Sequence, residues 1–198
     1  MQRPERRQLW MVWPEPRLKS SINPNIPNGY FIRTYQTRDE GSFMALMALM
    51  DFDPWTQEKL DYNMSRILPE GWFFGVDAKT GGVVATAMCL HNYYGHPPFT
   101  GDLGWLACHP DHQGKGLGYS LAACVTNRFR DAGYSRIQLH TEYYRLAAIK
   151  TYLKLGYVPV MYCPEVYESW EEACQKLHWP YTPQEWPTKS LEFRRSTR

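Results

Sequence analysis

Residues 103–119, LGWLACHPDHQGKGLGY, constrain the fold of this chain more than any other stretch. An apolar run of strand character, 103–108, breaks at His109-Pro110. It becomes a glycine-spaced loop, Gln113-Gly114-Lys115-Gly116-Leu117-Gly118, and passes straight into a helical pattern at Tyr119. A strand, a glycine-rich turn and a helix start make a device for holding phosphate. Backbone N–H groups without intrahelical partners point outward there, and the helix dipole adds partial positive charge. Glycines let the backbone approach an anion with no Cβ in the way. Lys115 adds a mobile cation.

The spacing excludes two common phosphate loops. A P-loop needs Ser or Thr directly after its lysine, and Gly116 follows Lys115. The dinucleotide fingerprint G-x-G-x-x-G needs a glycine where Tyr119 stands, since the glycines at 114, 116 and 118 run G-x-G-x-G. The pattern that fits is Q-x-x-G-x-G. A glycine turn with a merely structural job is the plain alternative, and the sequence on either side decides between them.

Around this centre the hydrophobic period outlines a mixed α/β chain. Residues 30–35 read as a strand, and 37–40 supply capping residues for a helix carrying Phe43, Leu46, Met47 and Met50, ended by Pro54. Thr56 caps a second helix with Leu60, Met64, Ile67 and Leu68 on its buried face, and Pro69-Glu70-Gly71 reads as a turn. Residues 72–76 and 83–90 form a hairpin, followed by the central strand 102–108. Leu117, Leu121, Val125 and Phe129 mark one face of a long helix that Gly133 closes. A strand at 136–141, a helix at 145–155 stopped by Gly156, a strand at 157–162 and a helix at 165–177 complete the order. Residues 1–28 hold five prolines, so they read as an extended arm without regular helix or central strand. Residues 163–198 read as a C-terminal helix and tail.

Composition bounds the function classes. A chain of 198 residues supports one sizeable core, with 43% apolar and 15% aromatic residues. A net charge of +2 implies no nucleic-acid or polyanion partner. The five cysteines, Cys89, Cys108, Cys124, Cys163 and Cys174, are scattered without a C-x-x-C, so reduced thiols, a cytoplasmic setting and no metal are expected. The apolar stretch at 9–13 is too short for a signal peptide, and the run at 43–50 is too short to span a membrane.

The run 147–159, AAIKTYLKLGYVP, lies about thirty residues past the glycine loop. It resembles A-x-x-x-Y-x-x-x-G-[FY], the second signature of the GNAT superfamily of acyl-CoA-dependent N-acyltransferases, as Q-x-x-G-x-G resembles its first. The two motifs, in this order with a helix and strand between them, extend the resemblance over residues 29–162. It implies a single-domain GNAT fold, a mixed sheet with splayed parallel strands and flanking helices. The strands that splay would be 102–108 and 136–141, with the pantetheine arm of acetyl-CoA bonding backbone groups at Leu106, Ala107 and Cys108. Parting strands leave N–H and C=O groups that need partners if buried, and a co-substrate carrying amides supplies them. The pyrophosphate would rest on Gln113, Gly114, Lys115, Gly116, Leu117, Gly118 and Tyr119. Side-chain packing of Leu106 and Cys108 is unaffected, because the backbone does this work.

The resemblance also assigns roles to side chains. Tyr152 would be the general acid: a thiolate with a parent pKa near ~8.5 leaves, and a tyrosine of pKa ~10 can donate to it. Asp102 would accept the ammonium proton through a water, with His91 and His140 as rivals. The thioester oxyanion would lie near the Leu106 N–H. Arg145 departs from the family, where many members carry Asn to bond the cofactor arm. A guanidinium cannot accept a hydrogen bond, so Arg145 is expected on a phosphate or an acidic substrate, with Ala148 beside the arm. The block at 103–110, with Arg145 and Ala148, most resembles the bacterial branch that includes mycothiol-synthase-like acetyltransferases.

The acceptor is expected to be a small-molecule or peptide amine. Trp55, Tyr62, Trp72, Tyr93, Tyr94 and Phe99 would form an aromatic wall, and Asp51, Asp53, Glu58 and Asp61 are the nearest acids. The leading function is transfer of acetyl from acetyl-CoA to a primary amine. The alternatives are another acyl-CoA donor, a hydroxyl acceptor, or a non-catalytic acyl-CoA-binding protein. The arm and the tryptophan-rich tail suggest a homodimer.

Overall fold

The computed structural model describes residues 8–50, 52–92 and 98–188. They fall into two compact units, Glu15–Ile137 and the described parts of Met1–Pro14 with Gln138–Arg198. In chain order the strands and helices are β1 (Gln8–Val12), β2 (Tyr30–Thr34), α1 (Asp39–Ala48), α2 (Gln57–Met64), β3 (Ile67–Asp77), β4 (Val83–His91) and β5 (Thr100–Cys108). They continue with α3 (Leu117–Asp131), β6 (Arg136–Glu142), α4 (Leu146–Leu155), β7 (Val158–Pro159) and α5 (Glu165–Leu177).

The larger unit is built on an antiparallel ladder in the order β2-β3-β4-β5. β4 is buried from Val84 to Leu90, because it is covered on both faces. Met88 and Leu90 join Phe43, Leu46, Met47, Leu60, Trp72 and Phe74 in a core under α1 and α2. Cys89, between them, points the other way, and its thiol donates to the Val125 carbonyl in α3. The α3 stripe expected from the 3.6-residue period, Leu117, Leu121, Val125 and Phe129, is sealed from solvent. A Cβ on Gly101 would come within 2.4 Å of the Phe129 ring, so the strand can meet this helix only with glycine there.

Residues 15–28 pack on the same unit. A 3₁₀ turn at Glu15–Lys19 leads into a segment bonded along α3. Arg130 donates to the Leu18 carbonyl at 2.8 Å, Asn127 exchanges bonds with both backbone groups of Ile22, and Ser120 donates to the Asn25 carbonyl. Pro24 and Pro27 lack N–H donors; α3 side chains donate to the carbonyls of this segment, and Asn127 also accepts from the Ile22 N–H.

Two boundaries differ from the sequence expectation. α2 ends at Met64 rather than running through Leu68, and Ile67 and Leu68 instead open β3. Pro69-Glu70-Gly71 is no free turn but an irregularity inside β3, where the register to β4 shifts between Ile67 and Trp72. Proline is tolerated at such a break, and Glu70 takes a left-handed φ of 57° there. α1 likewise stops at Ala48, ahead of Pro54.

The smaller unit corrects the reading of the N-terminal arm. Gln8–Val12 forms β1, a central strand antiparallel to β6 on one side and to β7 on the other. Its prolines lie beyond its end, at 14 and 16, so the ladder loses no donor. Leu9 and Met11 are fully buried and Trp13 nearly so, the alternation of a half-buried strand. Trp10 stacks on His140 at 6.1 Å and donates to the Gln138 side chain at 3.1 Å. Trp13 meets Tyr157 edge-on. α4 and α5 pack together, and α5 covers β1. Trp170 is fully buried against Trp186, so Trp10, Trp13 and Trp170 are accommodated within their own unit. β7 is shorter than expected, Val158–Pro159 only. No helix among the described residues is long and apolar enough to cross a membrane.

Candidate active site

The site in the larger unit begins with an irregularity in β5. Gly104 pairs with Met88 and Ala107 with Thr86, so Trp105 and Leu106 oppose the single residue Ala87. This is a β-bulge, which takes backbone groups out of the ladder and re-aims them. Trp105 carries it with a φ of +51°, a strained value for a bulky side chain. Its indole is fixed to compensate: Nε1 donates to Asn63 Oδ1 at 2.7 Å, and Trp55 and Phe52 meet the ring edge-on at 4.6 and 5.6 Å. A Cβ on Gly104 would come within 2.4 Å of Leu90 Cδ1, so any larger residue before the bulge would have to displace that buried side chain.

β5 then runs into the glycine loop. Pro110–His112 makes one 3₁₀ turn, and the Gln113 side chain donates back to the Cys108 carbonyl at 3.0 Å. Gly114 and Gly116 take φ of 74° and 98°, and at neither would a Cβ meet anything within 4 Å. These glycines serve the turn, and they leave its outer side open. α3 starts at Leu117 with Gly116 as its N-cap and no side chain capping it. The first-turn N–H groups of Leu117, Gly118 and Tyr119 therefore have no intrahelical acceptor, whereas Ser120 N–H already bonds Gly116. An open, uncapped helix start behind a glycine loop fits a pyrophosphate by charge and by room. Lys115 is exposed beside it, donating to Tyr30 Oη at 3.2 Å and to the Asp111 carbonyl. Tyr30 Oη also lies 2.9 Å from His112 Nδ1.

The remaining predicted residues lie as follows. Ala107 is buried, and burial pushes the Cys108 thiol up to about 11, which keeps it protonated at neutral pH. Asp102 is buried in β5 opposite Leu90. His91 ends β4, its N–H held by the Arg66 carbonyl. In the smaller unit Tyr152 is buried in α4, and burial holds its phenol well above the ordinary tyrosine value. Arg145 precedes α4, and its Nε pairs with the Glu142 carboxylate at 2.6 Å. Ala148 is half-buried one turn before Tyr152. His140 stacks on Trp10.

The expected aromatic wall divides. Trp72 is core, stacked on Tyr35 and donating to Thr86. Phe99 is exposed against Tyr134, and Tyr62 stacks on its neighbour Arg66. Trp55 alone of the described set faces the bulge residue. Tyr93, Tyr94 and Asp51 lie outside the described residues. Among the described residues no cluster of His, Cys, Asp and Glu is arranged to hold a metal ion.

The family model described as the acetyltransferase (GNAT) family matches residues 35–157, well over half of the chain. The chain belongs to the GNAT acetyltransferase family. Among curated relatives, a mycothiol acetyltransferase of Nocardia farcinica is 27% identical over 164 residues, covering 77% of this chain and 53% of the relative. The chain spans about half the length of the curated relatives it matches. A GCN5-related N-acetyltransferase from Sphaerobacter thermophilus superposes with a TM-score of 0.64 at 22% identity, over 79% of this chain and 49% of that one. A putative acetyltransferase from Salmonella typhimurium, solved with its cofactor acetyl-CoA, gives 0.54 at 22% identity, over 65% and 79%. These likenesses show the GNAT fold. Within this GNAT chain the sequence reading missed Trp105, Lys59, Asn63 and Tyr30. For Trp105 a signal existed: a glycine inside an apolar strand marks a bulge, and Gly104 stands directly before it.

Proposed function

We propose that this chain is an N-acetyltransferase that moves the acetyl group of acetyl-CoA to a primary amine by direct attack on the thioester. The observation that carries the reading is the sequence of devices along one strand: a bulge at Trp105-Leu106, then an uncapped helix start on an open glycine loop. The N–H groups at 114–119 hold the pyrophosphate. The Leu106 N–H, at the bulge, donates to the thioester oxygen as it gains charge. Asp102, through a water, takes the proton from the incoming ammonium. The amine nitrogen bonds the acetyl carbon, the carbon–sulfur bond breaks, Tyr152 protonates the leaving thiolate, and the second proton, shed by the new amide nitrogen, restores the Tyr152 phenol. Burial raises the Tyr152 pKa, so its proton is in place at neutral pH. The protonated state of Cys108 speaks against a route through an acyl-cysteine. The name of the Nocardia relative ties that protein to mycothiol; only acetyl transfer is carried over here.

Release of free thiol from acetyl-CoA by the purified chain, across a panel of primary amines and matched alcohols, tests this reading. Amine-dependent release with the acetylated amine as product is expected. Bound acetyl-CoA with no release under any acceptor would overturn it in favour of an acyl-CoA-binding protein. Release with a longer acyl donor only would reassign the donor.

A further inference from the structure

Beside the β5 bulge a cation is already caged. Lys59, on α2, places its ammonium 4.7 Å from the Trp55 ring centre and 4.8 Å from that of Trp105. The two indoles stand 4.6 Å apart at 74°, and Phe52 also meets Trp105 edge-on at 5.6 Å. Asn63 fixes the arrangement from both ends, accepting from the Trp105 indole and donating to the Lys59 carbonyl at 2.7 Å. Phe52, Trp55, Lys59 and Trp105 are each half-buried, so the cage is open to solvent on one side. Such a frame is rigid and holds a positive charge against π faces. Its wall, Trp105, is the residue directly before Leu106, whose N–H donates to the thioester oxygen in the proposed reaction.

We infer that this cage is an acceptor subsite for a cationic group other than the nitrogen that is acetylated, and that Lys59 holds the seat until acceptor arrives. The inference rests on the N-acetyltransferase reading for the word acceptor, but not for the cation site itself. The distinction between the two nitrogens follows from chemistry. Indole faces favour an ammonium over a neutral amine, and the attacking nitrogen must be neutral. A caged nitrogen is therefore held, not acetylated. The substrate class that fits is an amine bearing a second fixed cation, such as an alkyl diamine or a quaternary-ammonium amine. Lys59 competes with it as an intramolecular ligand, which lowers apparent affinity until the side chain swings out.

Titration with tetramethylammonium, read by tryptophan fluorescence, tests the cage without any turnover. The Lys59→Met variant is expected to bind at least tenfold more tightly than the wild type, and Lys59→Arg to bind as weakly as the wild type. Adding Trp55→Leu to Lys59→Met should abolish the gain. In the thiol-release assay Lys59→Met should lower KM for a diamine at least fivefold relative to a monoamine of equal length. No gain in tetramethylammonium binding by Lys59→Met, in a variant that melts like the wild type, would overturn the cation seat. A gain in binding with no thiol release from any acceptor would leave the seat standing and remove the acetyltransferase reading. Equal KM changes for diamine and monoamine would overturn the assignment of the seat to the acceptor.

Discussion

The side-chain amide of Gln113 donates to the carbonyl of Cys108 at 3.0 Å, tying the mouth of the glycine loop to the end of β5. The bond gives the first letter of Q-x-x-G-x-G a physical meaning. It sets the angle at which the open amides of α3 follow the strand. A neutral bond of this kind is worth about 1 kcal/mol, or roughly a fivefold change in an equilibrium. Gln113→Ala is expected to raise KM for acetyl-CoA by about that factor with kcat little changed, as steady-state kinetics would show. A drop in kcat with unchanged KM would place Gln113 in the chemistry instead.

Tyr152→Phe removes one hydroxyl from a buried site. If that hydroxyl protonates the departing thiolate, kcat should fall ~10²-fold while calorimetric affinity for CoA stays within twofold. The pH profile carries a second check. A general acid works while protonated, and burial pushes the Tyr152 pKa above the ordinary ~10. Wild-type activity should therefore show no alkaline loss from this group below pH 10, and a limb near pH 9 removed by Tyr152→Phe would contradict the burial argument.

How much of this was legible in the sequence depends on how local each cause is. The α3 stripe, the Gly133 and Gly156 stops, the hairpin and α5 follow from period and capping within a few residues, and they stand where the sequence puts them. β1 did not, because the five prolines of residues 1–28 mask the alternation of Leu9, Met11 and Trp13. Its partners are β6 and β7, more than a hundred residues away, and a lone five-residue strand has no local stability to announce it. The glycine loop was legible because φ demands glycine at 114 and 116. The bulge at Trp105 was less so, since two residues opposing one is a property of a pair of strands. The cage of Lys59, Trp55 and Trp105 joins α2 and the loop before it to β5, with Trp105 more than forty residues past Lys59, and no short window of sequence contains it.

Asp39 illustrates a stabilising site with a definite pH signature. Arg33 donates to both of its carboxylate oxygens, at 2.6 and 2.8 Å, and the Gln36 N–H adds a third bond. The Arg33 bonds hold the Asp39 pKa below the usual aspartate value. A depressed folded-state pKa gives stability that is present above the unfolded value of ~3.9 and is lost as pH falls through the folded value. Asp39→Asn should cost about 2 kcal/mol at pH 7. In urea melts at several pH values, that difference should stay flat down to about pH 5 and shrink below pH 4. A difference that grew in acid would contradict the assignment.

Leu9 is fully buried in β1, and Leu→Ala at such sites costs about 2–5 kcal/mol. Leu9→Ala should thus lower the urea midpoint markedly, whereas a leucine in an extended arm would change it by less than about 0.5 kcal/mol. The same packing means that deleting residues 1–28 tests the integrity of a sheet before it tests self-association.

The most direct test of the central claim is a nuclear magnetic resonance titration of the ¹⁵N-labelled chain with CoA, following the backbone amides. If the open helix start and the bulge hold the co-substrate, the largest shifts will fall on Gly114, Lys115, Gly116, Leu117, Gly118 and Tyr119, with Leu106 moving when the acetyl thioester replaces CoA. Saturating CoA that leaves these amides unmoved, or shifts a different set, would contradict the account.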